Sequence, residues 1–98
     1  MNAVDRFLTY VRYDTQSDEH SDTTPTTEKQ KVLGGALAEE LNGLGLYNAH
    51  MDEYGYVYAW RPASAGCEGG PCVGRIAHMD TSPDASGANV QPRVVRYE

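Results

Sequence analysis

Residues 72–84 read CVGRIAHMDTSPD, and they are the most informative stretch of the chain. The first half, Cys72 to Ala77, is apolar except for Arg75, which is typical of a buried strand. The second half is polar and begins at His78. In α/β proteins, ligands bind beyond the carboxyl ends of the strands. The stretch therefore predicts an α/β fold with a site directly after the Cys72–Ala77 strand.

Two more strands are predicted before this one, at Leu46–Asp52 and Tyr56–Trp60, with a turn at Tyr54-Gly55 between them. Successive side chains of a strand point to opposite faces, so the aromatic residues of the second strand share one face. We expect that face to pack on a helix, and the three strands to form one mixed sheet. Val90–Arg96 could form one further strand, and its proline would place that strand at an edge or a bulge of the sheet.

Two helices are predicted ahead of the strands, and we expect both to pack on the sheet. The first follows from apolar residues at three- and four-residue steps between Val4 and Val11, with Asn2 as its N-cap. The second is predicted to begin with a capping box of Thr27 and Gln30 and to stop at Gly43 or Gly45. The polar residues 15–26 between the helices predict a loop.

Length and charge exclude several classes of protein. The 98 residues suffice for one small domain, and 8 basic against 14 acidic side chains give a net charge of −6. Nucleic-acid binding needs clustered Lys and Arg, which the chain lacks. No apolar run approaches the roughly 20 residues of a membrane span, and residues 1–11 do not form a signal peptide. We expect a cytoplasmic protein in which Cys67 and Cys72 are reduced thiols.

The spacing of His78 and Asp80 indicates a metal site. In an extended chain, residues two apart face the same side, so the imidazole and the carboxylate project together. A neutral imidazole binds zinc well, and a carboxylate on its other nitrogen fixes the ring. The pattern alone is not specific, because His50-Met51-Asp52 repeats the same tripeptide in a strand predicted to be exposed. The acidic residues around His20 are interpreted as a solvated loop.

The polar run belongs to a wider resemblance. The chain resembles the N-terminal portion of the peptidase T family, tripeptide aminopeptidases within the aminoacylase-like dizinc exopeptidases. The most specific match is the run HMDTSPD at residues 78–84. Shorter matches follow the same order along nearly the whole chain, at Arg6-Phe7-Leu8, Asp14-Thr15-Gln16-Ser17, Thr27-Glu28 and Leu44-Gly45-Leu46.

The resemblance implies a zinc-dependent hydrolase that releases the N-terminal residue of a short peptide. Residues 1–98 would be the N-terminal part of its catalytic domain, without the rest of that domain and the lid domain. The position of His78 implies a zinc ligand, and that of Asp80 a catalytic-site aspartate that holds this imidazole. The complete site would bind two Zn²⁺ ions. The other ligands and the general base would lie beyond residue 98, so we expect the 98 residues to be inactive alone.

Other functions stay open on the sequence. One is a non-catalytic acidic interaction domain that has kept the fold. Another is a dipeptidase, deacylase or carboxypeptidase of the same family, because few residues that select a substrate are present. The intact HMDTSPD run favours an enzyme, since a binding module has no chemical need of it. We also expect the chain to associate with itself through exposed sheet edges.

Overall fold

A computed structural model describes all 98 residues and contains two helices and two strands. In chain order they are α1 (Ala3–Tyr10), α2 (Gln30–Gly43), β1 (Tyr47–Met51) and β2 (Val57–Trp60). The strands form a two-stranded antiparallel sheet, and α2 packs across both of them. The predicted α/β class is confirmed. The sheet, however, is a hairpin of two strands and not a mixed sheet of three.

Helix α1 begins as the sequence predicts and is attached to α2. The Asn2 side chain accepts a hydrogen bond from the Asp5 amide, and the Asp5 carboxylate accepts one from the Asn2 amide. This reciprocal pair satisfies two amides that the first turn leaves free. Farther along, Arg6 and Tyr10 both donate to the Glu40 carboxylate on α2, Tyr10 over 2.5 Å. Helix α1 therefore lies against α2, and the prediction that both helices pack on the sheet holds for α2 alone.

Helix α2 ends as predicted but begins differently. At its end Gly45 has φ +83°, the Gly45 amide bonds to the Asn42 carbonyl, and the Leu46 amide bonds to the Leu41 carbonyl. These bonds form a Schellman motif, which stops the helix. At its start no side chain caps the helix. The predicted capping box is wrong: Lys29 is the N-cap, and the Thr27 hydroxyl donates to the Gln16 carbonyl and accepts from the Gln30 side chain.

The hairpin places its aromatic face outward. Val57 and Ala59 are half-buried on the side of α2, so the alternating Tyr56, Tyr58 and Trp60 point to solvent. The prediction that the aromatic face packs on a helix is therefore wrong. The Tyr58 and Trp60 rings stack, with centroids 6.3 Å apart. The turn between the strands is confirmed, with Gly55 at φ +85°.

Residues 72–77 are not a strand. They have no regular secondary structure and are exposed, and the Ile76 side chain is fully open to solvent. An apolar run shows that side chains favour burial, but a strand also needs a neighbour for its backbone hydrogen bonds, and β1 and β2 bond only to each other. The further strand at Val90–Arg96 is absent for the same reason. The single parallel bridge of this region, between Gln16 and Thr81, lies beyond residue 77.

The core is small. Six of the 98 residues are buried, among them Leu33 and Gly34 on α2 and Ala49 on β1. The radius of gyration is 16.2 Å, whereas a compact domain of this length has about 13 Å. Neither helix has the length and hydropathy that crossing a bilayer requires. Segments without regular secondary structure therefore lie outside the layer that α2 forms with the hairpin, and the site is on one of them.

Candidate functional site

His78 and Asp80 are in contact, as their spacing predicts. The Nδ1 atom of His78 lies 2.9 Å from the Asp80 carboxylate oxygen Oδ1 and 2.9 Å from the Asp80 backbone carbonyl. The His78 side chain is 85% exposed and the Asp80 side chain 44%. The two residues follow the irregular segment 72–77, so the predicted pairing occurs although the predicted strand does not.

These contacts fix the tautomer of the neutral His78 ring. A carbonyl oxygen and an ionised carboxylate can only accept hydrogen bonds, so Nδ1 must carry the proton that both receive. The lone pair of the neutral ring is then on Nε2, and that atom makes no hydrogen bond within the chain. An imidazole held by a carboxylate through one nitrogen, with the other nitrogen free, has the arrangement of most metal-binding histidines in proteins.

The second His-Met-Asp tripeptide is arranged differently. His50 donates from Nδ1 to the Asn48 carbonyl, 2.9 Å away, and its ring stacks on Tyr58 with centroids 5.5 Å apart. The Asp52 carboxylate accepts from the amides of Tyr54 and Tyr56 and so holds the hairpin turn. The same three residue types therefore produce a turn in one place and a histidine–carboxylate pair in the other. His50 lies in an exposed strand, as predicted.

An irregular segment before α2 contacts the residues that follow Asp80. The Thr81 amide donates to the Thr15 carbonyl over 3.0 Å, and the Ser17 amide donates to the Thr81 carbonyl over 2.9 Å. The Ser17 hydroxyl donates to the same Thr81 carbonyl over 2.8 Å, and the Gln16 side-chain amide donates to the Pro83 carbonyl over 3.1 Å. The composition of residues 15–26 predicts only a loop and does not indicate these bonds, which join residues more than 60 positions apart.

The same segment is anchored to the start of α2. Lys29 donates to the Asp14 carboxylate over 3.0 Å, and this hydrogen bond, followed by one from the Gln16 amide, lowers the pKa of Asp14. The Thr27 hydroxyl donates to the Gln16 carbonyl over 2.9 Å. A sequence signal existed, because Asp14-Thr15-Gln16-Ser17 was among the family matches. No local pattern indicates, however, which distant residues such a segment contacts.

A groove of about 910 Å³ runs beside the site. One wall is the segment from Arg75 to Asp80, and the other is formed by α1, α2 and the hairpin. Its lining includes the apolar α2 side chains Leu37 and Leu41 together with His78 and Asp80. The site therefore borders an apolar surface.

The donor set of the site fits one metal ligand. His78 has a free ring nitrogen with a carboxylate behind it, but no group of three or more His, Cys, Asp or Glu side chains converges anywhere in the chain. A tetrahedral catalytic zinc site needs three protein ligands and a water. The residues present could therefore supply one zinc ligand and its supporting carboxylate, and they do not form a complete tetrahedral site. The acidic residues near His20 are exposed, as predicted.

Comparison with known proteins identifies the relatives of this chain. A peptidase T of Parabacteroides distasonis is 52% identical over 97 residues, which is 99% of this chain. The peptidase T of Halothermothrix orenii is 53% identical over 92 residues, and that of Clostridium acetobutylicum is 52% identical over 93. The chain is related to peptidase T. No protein-family model matches the chain.

The predicted resemblance to peptidase T is confirmed, and its extent is defined. The match takes in 94% to 99% of this chain but only 22% to 24% of the length of these three relatives.

Proposed function

We propose that this chain is part of a tripeptide aminopeptidase of the peptidase T type. In this proposal His78 binds one of two zinc ions through Nε2, and Asp80 holds the imidazole through Nδ1. The substrate is a short peptide with a free N-terminus, and the enzyme works in the cytoplasm. Similarity to peptidase T over the whole chain supports the activity, and the hydrogen bond from His78 to the Asp80 carboxylate supports the site.

The roles of the two residues follow from their contacts. The Asp80 carboxylate keeps the proton on Nδ1 of the neutral ring, so the electron pair on Nε2 is available to a cation. The negative charge of Asp80 behind the ring also favours a cation bound at Nε2. When bound, zinc polarises a peptide carbonyl and lowers the pKa of a bound water. This chain holds the ring in one tautomer and one orientation for that ion.

The test uses the protein expressed from its natural reading frame, with zinc content and release of the N-terminal residue from a tripeptide as readouts. We expect His78→Ala to lose zinc and nearly all activity, because a ligand is removed. Asp80→Ala should keep part of the zinc but lose about tenfold to a hundredfold in activity or metal affinity, as for other carboxylates behind metal-binding histidines.

The control is His50→Ala, which changes the same tripeptide where its histidine has no carboxylate partner. It should leave zinc content and activity unchanged. Full zinc content and full activity in His78→Ala would overturn the assignment of the site. A wild-type protein that binds zinc but does not cleave tripeptides would overturn the substrate class and leave the metal site standing.

A further inference from the structure

One peptide unit joins the buried Thr15 to the candidate metal ligand. The carbonyl of the Asp80–Thr81 peptide accepts a hydrogen bond from His78 Nδ1 over 2.9 Å. The amide of the same peptide donates to the Thr15 carbonyl over 3.0 Å. A peptide unit is planar and rigid, so fixing its amide also fixes the direction of its carbonyl. The position of Thr15 therefore acts on the orientation of the His78 ring.

Thr15 is well placed for this role because it is the most buried polar residue of the chain, with 3% of its surface exposed. Its neighbours are fixed on two sides. The Gln16 carbonyl accepts from Thr27, and the hydroxyl of Thr27 accepts from the buried Gln30 side chain over 3.0 Å. On the other side, Ser17 bonds twice to the Thr81 carbonyl.

The packing around Gly87 shows how closely these pieces fit. A Cβ atom at Gly87 would lie 2.8 Å from Asp14 Oδ1 and 3.3 Å from the Gln16 amide nitrogen. The first distance is shorter than real Cβ contacts, so Asp14 would have to move. The Asp14 carboxylate is held by Lys29 and by the Gln16 amide and cannot move without losing one of these bonds. Any side chain at position 87 therefore disturbs the segment that holds Thr81.

We propose that the Asp14–Ser17 segment positions His78 by fixing the Asp80–Thr81 peptide, and that Thr15, Ser17 and Gly87 are positioning residues of the site. The proposal rests on the function proposed above for its consequence in catalysis. Its structural content, the tautomer and orientation of the ring, is independent of zinc.

The experiment reads the tautomer directly, by ring-nitrogen NMR of the chain labelled in its three histidines. It is run without metal at about pH 8.5, two units above the ordinary histidine pKa, so that the rings are neutral. Exchange of the Thr81 amide with solvent provides a second measurement. The variants are Gly87→Ala and the milder Ser17→Ala, which loses one of two bonds to the Thr81 carbonyl.

We expect wild-type His78 to be protonated on Nδ1 and the variants to shift toward a mixture of the two tautomers. Thr81 amide exchange should accelerate about fivefold in Ser17→Ala, the value of one ordinary hydrogen bond, and more in Gly87→Ala. Ser17→Thr keeps the hydroxyl and should restore the wild-type signals. Gly74→Ala is the matched control, since no atom lies within 4 Å of its added Cβ.

An unchanged His78 tautomer in Ser17→Ala and Gly87→Ala, with faster Thr81 exchange, would overturn the positioning role, even if His78→Ala removes zinc from the natural protein. The opposite result is also informative. If the His78 tautomer shifts in the variants but His78→Ala does not change the zinc content of the natural protein, the metal site is refuted and the positioning role is supported.

Discussion

Two adjacent glycines of α2, Gly34 and Gly35, give a sharp test of how the helix packs on the hairpin. A Cβ atom at Gly34 would lie 2.6 Å from the Met51 sulfur and 3.5 Å from both the Gly55 carbonyl and a Val57 methyl group. A Cβ atom at Gly35 would have nothing within 4 Å. The two positions share a helix interior and differ in what faces them, so Gly35→Ala is the control for Gly34→Ala.

The magnitudes follow from two effects. Replacing Gly by Ala inside a helix stabilises it by about 1 kcal/mol at either position. At Gly34 the Met51 side chain must also move out of a confined space, and overpacking of this kind costs about 1–3 kcal/mol. We therefore expect Gly35→Ala to raise the free energy of unfolding by about 1 kcal/mol. Gly34→Ala should be about 1–3 kcal/mol less stable than Gly35→Ala, because the helix effect cancels in the comparison.

The assay is urea unfolding of the chain, followed by circular dichroism for α2 and by fluorescence of Trp60 for the hairpin. In a Met51→Ala background, which lacks the obstructing sulfur, most of the difference between Gly34→Ala and Gly35→Ala should disappear. Equal stabilisation by Gly34→Ala and Gly35→Ala would refute the reasoning, because it would mean that α2 does not approach β1 at Gly34.

Two further predictions concern the helix contact and the exposed surface. Burial and the hydrogen bond to Glu40 raise the pKa of Tyr10 to about 12, and the hydrogen bonds from Tyr10 and Arg6 lower the pKa of Glu40. The α1–α2 contact should therefore be strongest between the ordinary glutamate pKa of about 4.3 and the ordinary tyrosine pKa of about 10. It should weaken below that range as Glu40 is protonated and above it as Tyr10 ionises, and Tyr10→Phe should abolish the alkaline change in an NMR titration of the α1 amides. The exposed hairpin edges and the exposed Ile76 side chain should make the chain associate with itself. Sedimentation velocity tests this, with Ile76→Ser expected to associate less than the wild type. A monomer at every concentration would contradict the prediction.

The parts of the fold that could be predicted are those set by neighbours in sequence. The cap of α1 needs only Asn2 and Asp5, three residues apart, and the stop of α2 needs a glycine at position 45. The alternation in Tyr56–Trp60 also gave two faces correctly. Which face turns toward α2 could not be predicted, because both faces carry apolar side chains and the choice depends on Val57 fitting against Gly34.

The site shows the same division. The pairing of His78 with Asp80 could be predicted, because it joins residues two apart. The bond from Thr81 to Thr15 could not, since nothing near either residue indicates a partner so distant in sequence. The prediction of a strand at Cys72–Ala77 is wrong for a related reason. Apolar composition predicts that side chains are buried, but it does not identify the neighbour that would bury them. Thr27 is the opposite case, because the residues around it favour a helix cap but its hydroxyl donates to the Gln16 carbonyl outside the helix.

Two regions of the chain are stabilised by different interactions, so we expect a substitution in one of them to have little effect on the other. Helix α2 and the hairpin are held by apolar contacts around Leu33 and Ala49. The His78–Asp80 site is held by hydrogen bonds to the segment around Thr15, and that segment is hydrogen-bonded to Thr27 and Lys29 at the start of α2. Hydrogen bonds near solvent contribute about 0.5–1.5 kcal/mol each, so the site depends on several acting together. A substitution where α2 meets the hairpin, such as Gly34→Ala, should therefore change the unfolding of the hairpin while the Thr81 amide keeps its protection.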